Sequence, residues 1–286
     1  MGEVKESYDG FKWYIEEEDH NLGLVEEDSF IINVLKKLGG RDRIFLDVGA
    51  YIGKYSIRLS KYYKVIYAFE PNPYAVKVFK RNLELNHIKN VVIIQRALGS
   101  RRALGFLHLR GGSSTLLAGF KSQNVARIEI VPLDDLELEC HVIKIDVEGY
   151  EVEVVRGAYN TIRKYRPIIL IEHHEFREYK NIGSTYYKIK ELLKDYIPLF
   201  LGSPQVLWVP REFDLRAVQE AVYAHWFNFC LQNIKKKKPW YWGVPYTWWW
   251  GMSFFEFIHR LPQHLEKEDE WFEKIKRGEV EVYIDI

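Results

Sequence analysis

The sequence predicts an α/β protein built on one doubly wound, mostly parallel sheet of seven strands. Three observations predict it. The apolar run Ile44 to Val48 stops at a glycine turn and opens a helix. A second run, Val65 to Phe69, stops at the acidic Glu70 and opens another. Beyond these, the period of the apolar residues keeps alternating between that of a strand and that of a helix, which is the pattern of strands joined by helical crossovers.

Taken in order, residues 25 to 38 read as an opening helix. Ile44 to Val48 is a buried strand, and Ile52 to Tyr62 a helix with apolar residues at Ile52, Tyr55, Ile57 and Leu59. The strand Val65 to Phe69 leads into an amphipathic helix over 73 to 86. Pro73 lies in its first turn, where a missing N–H costs nothing. Val91 to Arg96 is the third strand. Residues 103 to 132, with alternation in LGFLHL and RIEIVP around a Gly-Gly-Ser-Ser loop, read as a β-hairpin excursion. Val142 to Ile145 and Pro167 to Ile171 are two more buried strands, joined by a helix from about Tyr150 to Tyr165. A helix from Tyr186 to Asp195 and the strands Ile197 to Leu201 and Gln205 to Val209 complete the sheet. No internal repeat is present.

The first two strand ends carry ligand chemistry. Gly49 and Gly53 frame a turn in which the backbone can approach a ligand, and the following helix offers N–H groups and a partial positive charge to a carboxylate. Glu70, at the end of the next strand, is placed to accept hydrogen bonds from both hydroxyls of a ribose, at roughly 1.5 to 3 kcal/mol each. A nicotinamide cofactor wants G-x-G-x-x-G, because its pyrophosphate rests on three glycines; the run here is D-x-G-x-x-x-G. That looser turn suits S-adenosylmethionine, which has no phosphate but carries an amino-acid end for Asp47 and the glycine backbone. Glu70 fits either cofactor.

The chain also resembles the FkbM family of S-adenosylmethionine-dependent methyltransferases. The matching segments are FLDVGAYIGKYSIRLS (45 to 60), AFEPNPYAVKVFKRNLELN (68 to 86), NVVIIQRALGS (90 to 100), GGSSTL (111 to 116), VPLDDL (131 to 136), VIKIDVEGYEVEVVRGA (142 to 158) and PIILIEHHE (167 to 175). They lie within residues 25 to 210, about two thirds of the chain, and IKIDVEGYE is the most family-specific. One departure lies in the glycine turn, where the family usually carries Asn and this chain has Tyr51. The resemblance implies a class I methyltransferase (Rossmann-like) fold with S-adenosylmethionine as cofactor. Its implied cofactor-binding set is Asp47, Gly49, Tyr51, Gly53, Glu70, Pro71, Asn72, Ala97, Leu98 and Asp146, with Ala97-Leu98 at the adenine. It also implies that Ser113 and Ser114 face the acceptor, and that the acceptor is a sugar, a glycan or a polyketide-like alcohol.

Catalysis is expected where the later strands end, because ligands of open α/β sheets bind outside the carboxyl edge. Asp146 closes HVIKID, and Glu148 follows in a turn with Gly149. Glu172 and His174 share a face by the two-residue period, while His173 points to the other. If the two strands are neighbours, Asp146, Glu172 and His174 converge beside the methyl group. His174 is the better base by its ordinary pKa; Asp146 is a candidate base, an orienting group for the acceptor, or a ligand for a divalent metal, although no metal is assigned. Structural alternatives stand beside each: a helix N-cap for Asp146, a carbonyl partner for His174, an ion pair with Arg166 or Lys144 for Glu172. The function expected is O-methyl transfer. A non-catalytic glycan-binding module and a nucleic-acid methyltransferase are the alternatives.

Composition sets bounds. A chain of 286 residues with 47% hydrophobic residues buries a full core and exceeds one average domain. A net charge of +1 gives no global field to recruit nucleic acid, so none is expected as partner. Cys140 and Cys230 are too few and too distant for a disulfide framework or a zinc site, and MGEVKESYDG has no apolar signal region, so a reducing, cytoplasmic setting is expected. The low Met and Cys with abundant Lys and Glu match hyperthermophile proteins. The domains expected are a methyltransferase unit over 1 to 212 and an aromatic-rich helical extension over 213 to 286. Seven of the nine Trp lie after 210, and the uncharged stretch Pro239 to Phe255 spans 17 residues interrupted by Pro245, too short to cross a bilayer. Packing against the catalytic unit or a second subunit, as in a homodimer, is the first reading of this tail; a lid over the acceptor and an interfacial membrane patch are the others.

Overall fold

A computed structural model describes residues 2–15, 30–109, 114–116, 124–174, 185–202 and 205–214. Among these, three sheets form. The largest has seven strands, β3 (Gly40–Val48), β4 (Tyr63–Phe69), β5 (Val91–Ile94), β9 (Val142–Ile145), β10 (Ile168–Glu172), β11 (Tyr196–Gly202) and β12 (Gln205–Pro210). Their order is β11-β12-β10-β9-β3-β4-β5. The pairs from β10 to β5 are all parallel, and β12 runs antiparallel to both of its neighbours. Strand order reverses between β3 and β9, which opens a crevice at their carboxyl ends.

Period-two patterning sorts the side chains onto two faces. Phe45, Val142, Ile168, Leu170, Leu207 and Val209 face helix α1 (Phe30–Lys37) and helix α2 (Lys54–Leu59). Leu46, Val48, Ile143, Ile145, Ile169, Ile171, Val206 and Trp208 face helices α4 (Glu151–Gly157), α5 (Tyr159–Tyr165) and α6 (Thr185–Leu192). The single helix expected over 150 to 165 is two, because α4 ends at Gly157, a poor helix former, and α5 begins after Ala158. Helix α3 (Pro73–Leu85) starts where Pro73 predicts it.

The hairpin excursion is β7 (Ala103–His108) paired antiparallel with β8 (Val125–Val131), and the short β6 (Ala97–Leu98) joins β8 in parallel. Sequence periodicity gave no element before residue 25, yet β1 (Glu3–Glu6) and β2 (Lys12–Ile15) form a hairpin there. Its support comes from α3: Asn82 and Asn86, one turn apart, accept hydrogen bonds from the backbone N–H groups of Tyr14 (2.7 Å) and Lys12 (2.8 Å). Trp13 is buried beneath, with the Arg58 guanidinium 4.8 Å from its ring centroid and Asp9 bonded to Arg58 at 2.7 Å. The expected aromatic extension falls outside the described residues except for Phe213, which packs against the first core face, and Asp214. No helix among the described residues is long and apolar enough to cross a membrane.

Candidate functional site

Register builds the site. Asp47 lies opposite Lys144 and Val48 opposite Ile145 across β3 and β9, while Ile145 lies opposite Ile171 across β9 and β10. The residues one step further, Gly49, Asp146 and Glu172, therefore stand side by side at the mouth of the crevice. The Asp146 N–H donates to the Val48 carbonyl at 3.0 Å, which ties the glycine turn to the end of β9.

The glycines of that turn are demanded first by the fold. Gly49 has φ 82°, and a Cβ there would stand 1.7 Å from the Asp146 carbonyl oxygen. Gly53 has φ 94°, and a Cβ there would lie 2.1 Å from the Phe79 ring. Both glycines are therefore required by the turn itself, before any ligand arrives. Tyr51 holds φ 48°, a left-handed conformation that Asn tolerates and Tyr strains, which gives a physical reason for the family's usual Asn.

Two expected cofactor contacts turn out to hold helices in place. Asp47 is fully buried, and its Oδ2 accepts from the Ser56 N–H (3.1 Å) and Oγ (2.6 Å), which caps α2 from the strand below. Its Oδ1 lies 3.9 Å from Lys144 Nζ; burial raises its pKa, with Lys144 and Ser56 working the other way. Asn72 is the N-cap of α3, its Oδ1 accepting from Tyr74 N–H at 3.0 Å. Asp47 Oδ2 and Asn72 Oδ1 thus satisfy donors that a helix start otherwise orphans, while the buried Asp47 Oδ1 has no hydrogen-bond partner among the described residues.

Glu70 sits at the carboxyl end of β4 and is 6% exposed. Its Oε2 accepts from the Tyr51 N–H (2.7 Å) and its Oε1 from the Asn72 N–H (2.8 Å). Each oxygen keeps acceptor capacity for one further donor, which is what a ribose requires. Burial pushes its pKa up to about 7, against the pull of the two N–H donors. Pro71 is half-buried between Glu70 and the cap, and Ala97 and Leu98 are buried in β6, just beyond the end of β5.

In the other half of the crevice, β9 and β10 are neighbours, and Asp146, Glu172 and His174 meet. His174 Nε2 lies 3.9 Å from Asp146 Oδ1, 3.8 Å from Glu172 Oε1 and 3.6 Å from Glu148 Oε2. Its Nδ1 bonds Glu151 Oε1 at 2.7 Å, and Glu151 is fully buried. Burial disfavours the imidazolium, but the Glu151 bond and the charges of Glu151, Glu148 and Asp146 outweigh it and raise the pKa to about 9. A pKa raised in this way favours the imidazolium and makes His174 a weaker base than its residue type alone suggests. Glu148 is better poised: burial raises its carboxyl to about 7, offset in part by His174. Its backbone sits at φ 52°, and Thr115 Oγ donates to its carbonyl at 2.7 Å, so the hairpin excursion holds the loop that presents it. Ser114, beside Thr115, is half-buried; Ser113 lies outside the described residues. His173 points to the other face as expected. There Trp208 Nε1 donates to its Nε2 at 3.3 Å, and burial lowers its pKa to about 3.

Sequence reasoning left Lys144, Glu148 and Glu151 out of the site. Lys144 is 3% exposed and donates to Asp146 Oδ2 (3.0 Å) and the Gly49 carbonyl (3.3 Å), with the Tyr55 ring 4.6 Å away. Burial alone would lower its pKa; Asp146 and Asp47 reverse that and raise it. The signal was present: a lysine inside a four-residue apolar strand, two residues before Asp146, has to meet a carboxylate.

A model of the methyltransferase FkbM domain matches residues 47–198, from the end of β3 into β11. A "Methyltransferase 1" of Beauveria bassiana is 30% identical over 145 residues, 41% of this chain and 58% of that protein. The tRNA (guanine(37)-N(1))-methyltransferase Trm5b of Pyrococcus abyssi is 34% identical over 68 residues, 24% of this chain and 20% of that one. The chain thus spans under two thirds of the length of either curated relative. The crystal structure of a methyltransferase FkbM from Methylobacillus flagellatus aligns at 18% identity with a TM-score of 0.43, over 59% of this chain and 43% of that chain. The matched span takes in the glycine turn, Glu70, the Asp146-to-Glu151 loop and the β10 end, and with more than half of its length so matched the chain belongs to the methyltransferase FkbM domain family.

Proposed function

We propose that this chain binds S-adenosylmethionine at the β3 and β4 ends and methylates a hydroxyl oxygen of a sugar, glycan or polyketide-like acceptor at the β9 and β10 ends. The observation that carries the reading is adjacency: Gly49, Asp146 and Glu172 lie side by side across three paired strands, so the cofactor turn and the acidic cluster share one crevice.

When bound, the cofactor supplies a methyl group already activated on a sulfonium. Glu70 receives the ribose, and the turn at Gly49 to Gly53 holds the amino-acid end through its backbone. An acceptor hydroxyl must then lie in line with the carbon–sulfur bond and lose its proton as the new carbon–oxygen bond forms. Glu148, with its carboxyl poised near neutrality, takes that proton. Asp146 and His174 fix the acceptor's orientation, and Lys144 holds Asp146 in place. Hydroxyl acceptors are favoured over ring nitrogens because the sequence after Asp146 reads Val-Glu-Gly where amino and base methylases usually carry Pro-Pro-aromatic. Calorimetry with S-adenosylhomocysteine, followed by mass-spectrometric screening of polyol, glycan and RNA acceptors for a 14-dalton gain, tests both halves. Failure to bind the nucleoside, or methylation confined to RNA, overturns the reading.

A further inference from the structure

Asp146, Glu148 and His174 carry more than proton transfer requires. One candidate ligand atom from each lies within 4.8 Å of the others. The separations from His174 Nε2 to Glu148 Oε2 (3.6 Å), Glu172 Oε1 (3.8 Å) and Asp146 Oδ1 (3.9 Å) are longer than hydrogen bonds. They fall within the range spanned by ligands of one cation. Two ligands each about 2.1 Å from one cation stand roughly 3.0 Å apart when adjacent and about 4.2 Å apart when opposite.

A second observation stands apart from the acidic cluster. Buried His174 is fixed from behind by Glu151, whose Oε1 bonds Nδ1 at 2.7 Å and also accepts from the Gly149 N–H at 2.9 Å. Glu151 is 0% exposed, and its Oε2 has no hydrogen-bond partner among the described residues. A buried carboxylate behind the far ring nitrogen, turning Nε2 toward oxygen ligands, is the arrangement that orients metal-bound histidines and sets their tautomer. Charge supports it. Asp146, Glu148, Glu151 and Glu172 crowd one imidazole, while Lys144 is engaged by the other Asp146 oxygen, by Gly49 and by Asp47. A dication answers that excess of negative charge.

We infer that Asp146, Glu148 and His174, with Glu172 beside them, form a divalent-cation site backed by Glu151. One nitrogen among two or three carboxylate oxygens favours a first-row ion of Mn²⁺ type over Mg²⁺ or Ca²⁺, which prefer oxygen alone. Resting on the methyl-transfer reading above, the ion would hold the acceptor oxygen beside the methyl donor and lower that hydroxyl's pKa, with Glu148 then serving as a ligand in place of its role as base; the binding site itself does not depend on that reading.

The test uses the full chain, stripped with a chelator and titrated with Mn²⁺ alone, with free ion followed by electron paramagnetic resonance. One ion per chain is expected, with nitrogen coupling from imidazole in its pulsed spectrum. Glu151→Gln, which leaves all proposed ligands in place, is expected to weaken binding by about 10- to 100-fold. Glu148→Gln, on the loop, is expected to weaken it at least as much, and His174→Ala to remove the nitrogen coupling. Circular dichroism of each chelated variant guards against misfolding. No stoichiometric Mn²⁺, or binding unchanged in Glu148→Gln and Glu151→Gln, overturns the inference. S-adenosylhomocysteine binding, measured on the same samples, reports separately on the methyltransferase reading.

Discussion

Glu70→Gln separates the two tasks held by one carboxylate, propping the turn and receiving a ribose. Glu70→Ala cannot do so, because it strips the partners from the Tyr51 and Asn72 N–H groups at about 1 to 3 kcal/mol each, and cofactor loss would then follow from a collapsed turn. Gln keeps the shape and one acceptor oxygen but removes the charge. A ribose hydroxyl bonded to a carboxylate contributes about 1.5 to 3 kcal/mol, so losing one such bond weakens S-adenosylhomocysteine binding by about tenfold or more. The raised pKa adds a second reading. If the ionised form receives the ribose, a carboxyl titrating at about 7 makes binding about tenfold weaker at pH 6 than at pH 8. The slope should vanish in Glu70→Gln, which distinguishes it from titration of the ligand's own amine.

Stability runs the other way for the cofactor-free protein. Folding raises this carboxyl from 4.5 to about 7, so its contribution is full below the lower value and lost as pH rises through the upper one. Wild type should gain stability relative to Glu70→Gln as pH falls through that window, by up to about 3 kcal/mol. Calorimetry and chemical denaturation at several pH values read both effects. Wild-type affinity independent of pH, or the same slope in both proteins, refutes the reasoning.

Three further outcomes are expected. Lys144→Met leaves buried Asp47 and half-buried Asp146 without their cation and should lower unfolding free energy by about 3 to 5 kcal/mol, read by urea denaturation; a loss under 1 kcal/mol would show the lysine to be dispensable. His87 holds φ 54° just past α3, exposed, with its N–H bonded to the Glu84 carbonyl, so His87→Gly should stabilise the protein by about 0.5 to 1 kcal/mol in the same assay. Gly53→Ala should destabilise strongly or prevent soluble expression, since its Cβ meets the Phe79 ring at a left-handed φ; a melting temperature equal to wild type would contradict the turn geometry.

What the sequence makes legible follows from how local each cause is. The carboxyl ends of β3, β4 and β9, the Pro73 helix start and the split of Glu172 and His174 from His173 depend on a period of two or on one residue's backbone, and these are present where periodicity places them, whereas β5 stops at Ile94 rather than Arg96 and β10 runs one residue further, to Glu172. The β1–β2 hairpin is different. Its charged residues carry no pattern, and what holds it is Asn82 in α3 and Asn86 at that helix's C-cap, some 70 positions away. Asp47 and Asn72 show a subtler limit. A polar side chain before a helix is equally suited to a ligand and to the helix's own unpaired N–H groups, and the tertiary structure decides which it serves.

The protonation of His174 is the furthest from local. Residue type alone makes it a base, since a solvated imidazole loses its proton near neutrality. Its state here is a sum over Glu151 and Glu148 on one loop and helix start, Asp146 at the end of β9 and Glu172 at the end of β10, less the cost of burial. Move any one carboxylate away and the sum shifts; place a cation among them and its sign reverses. The motif IKIDVEGYE contains three of those four carboxylates, so the sequence does record the cluster, but as a string of acids whose convergence on one ring nitrogen exists only after β9 and β10 pair. Reactivity at this crevice is therefore set by the pairing of two strands as much as by the residues they carry.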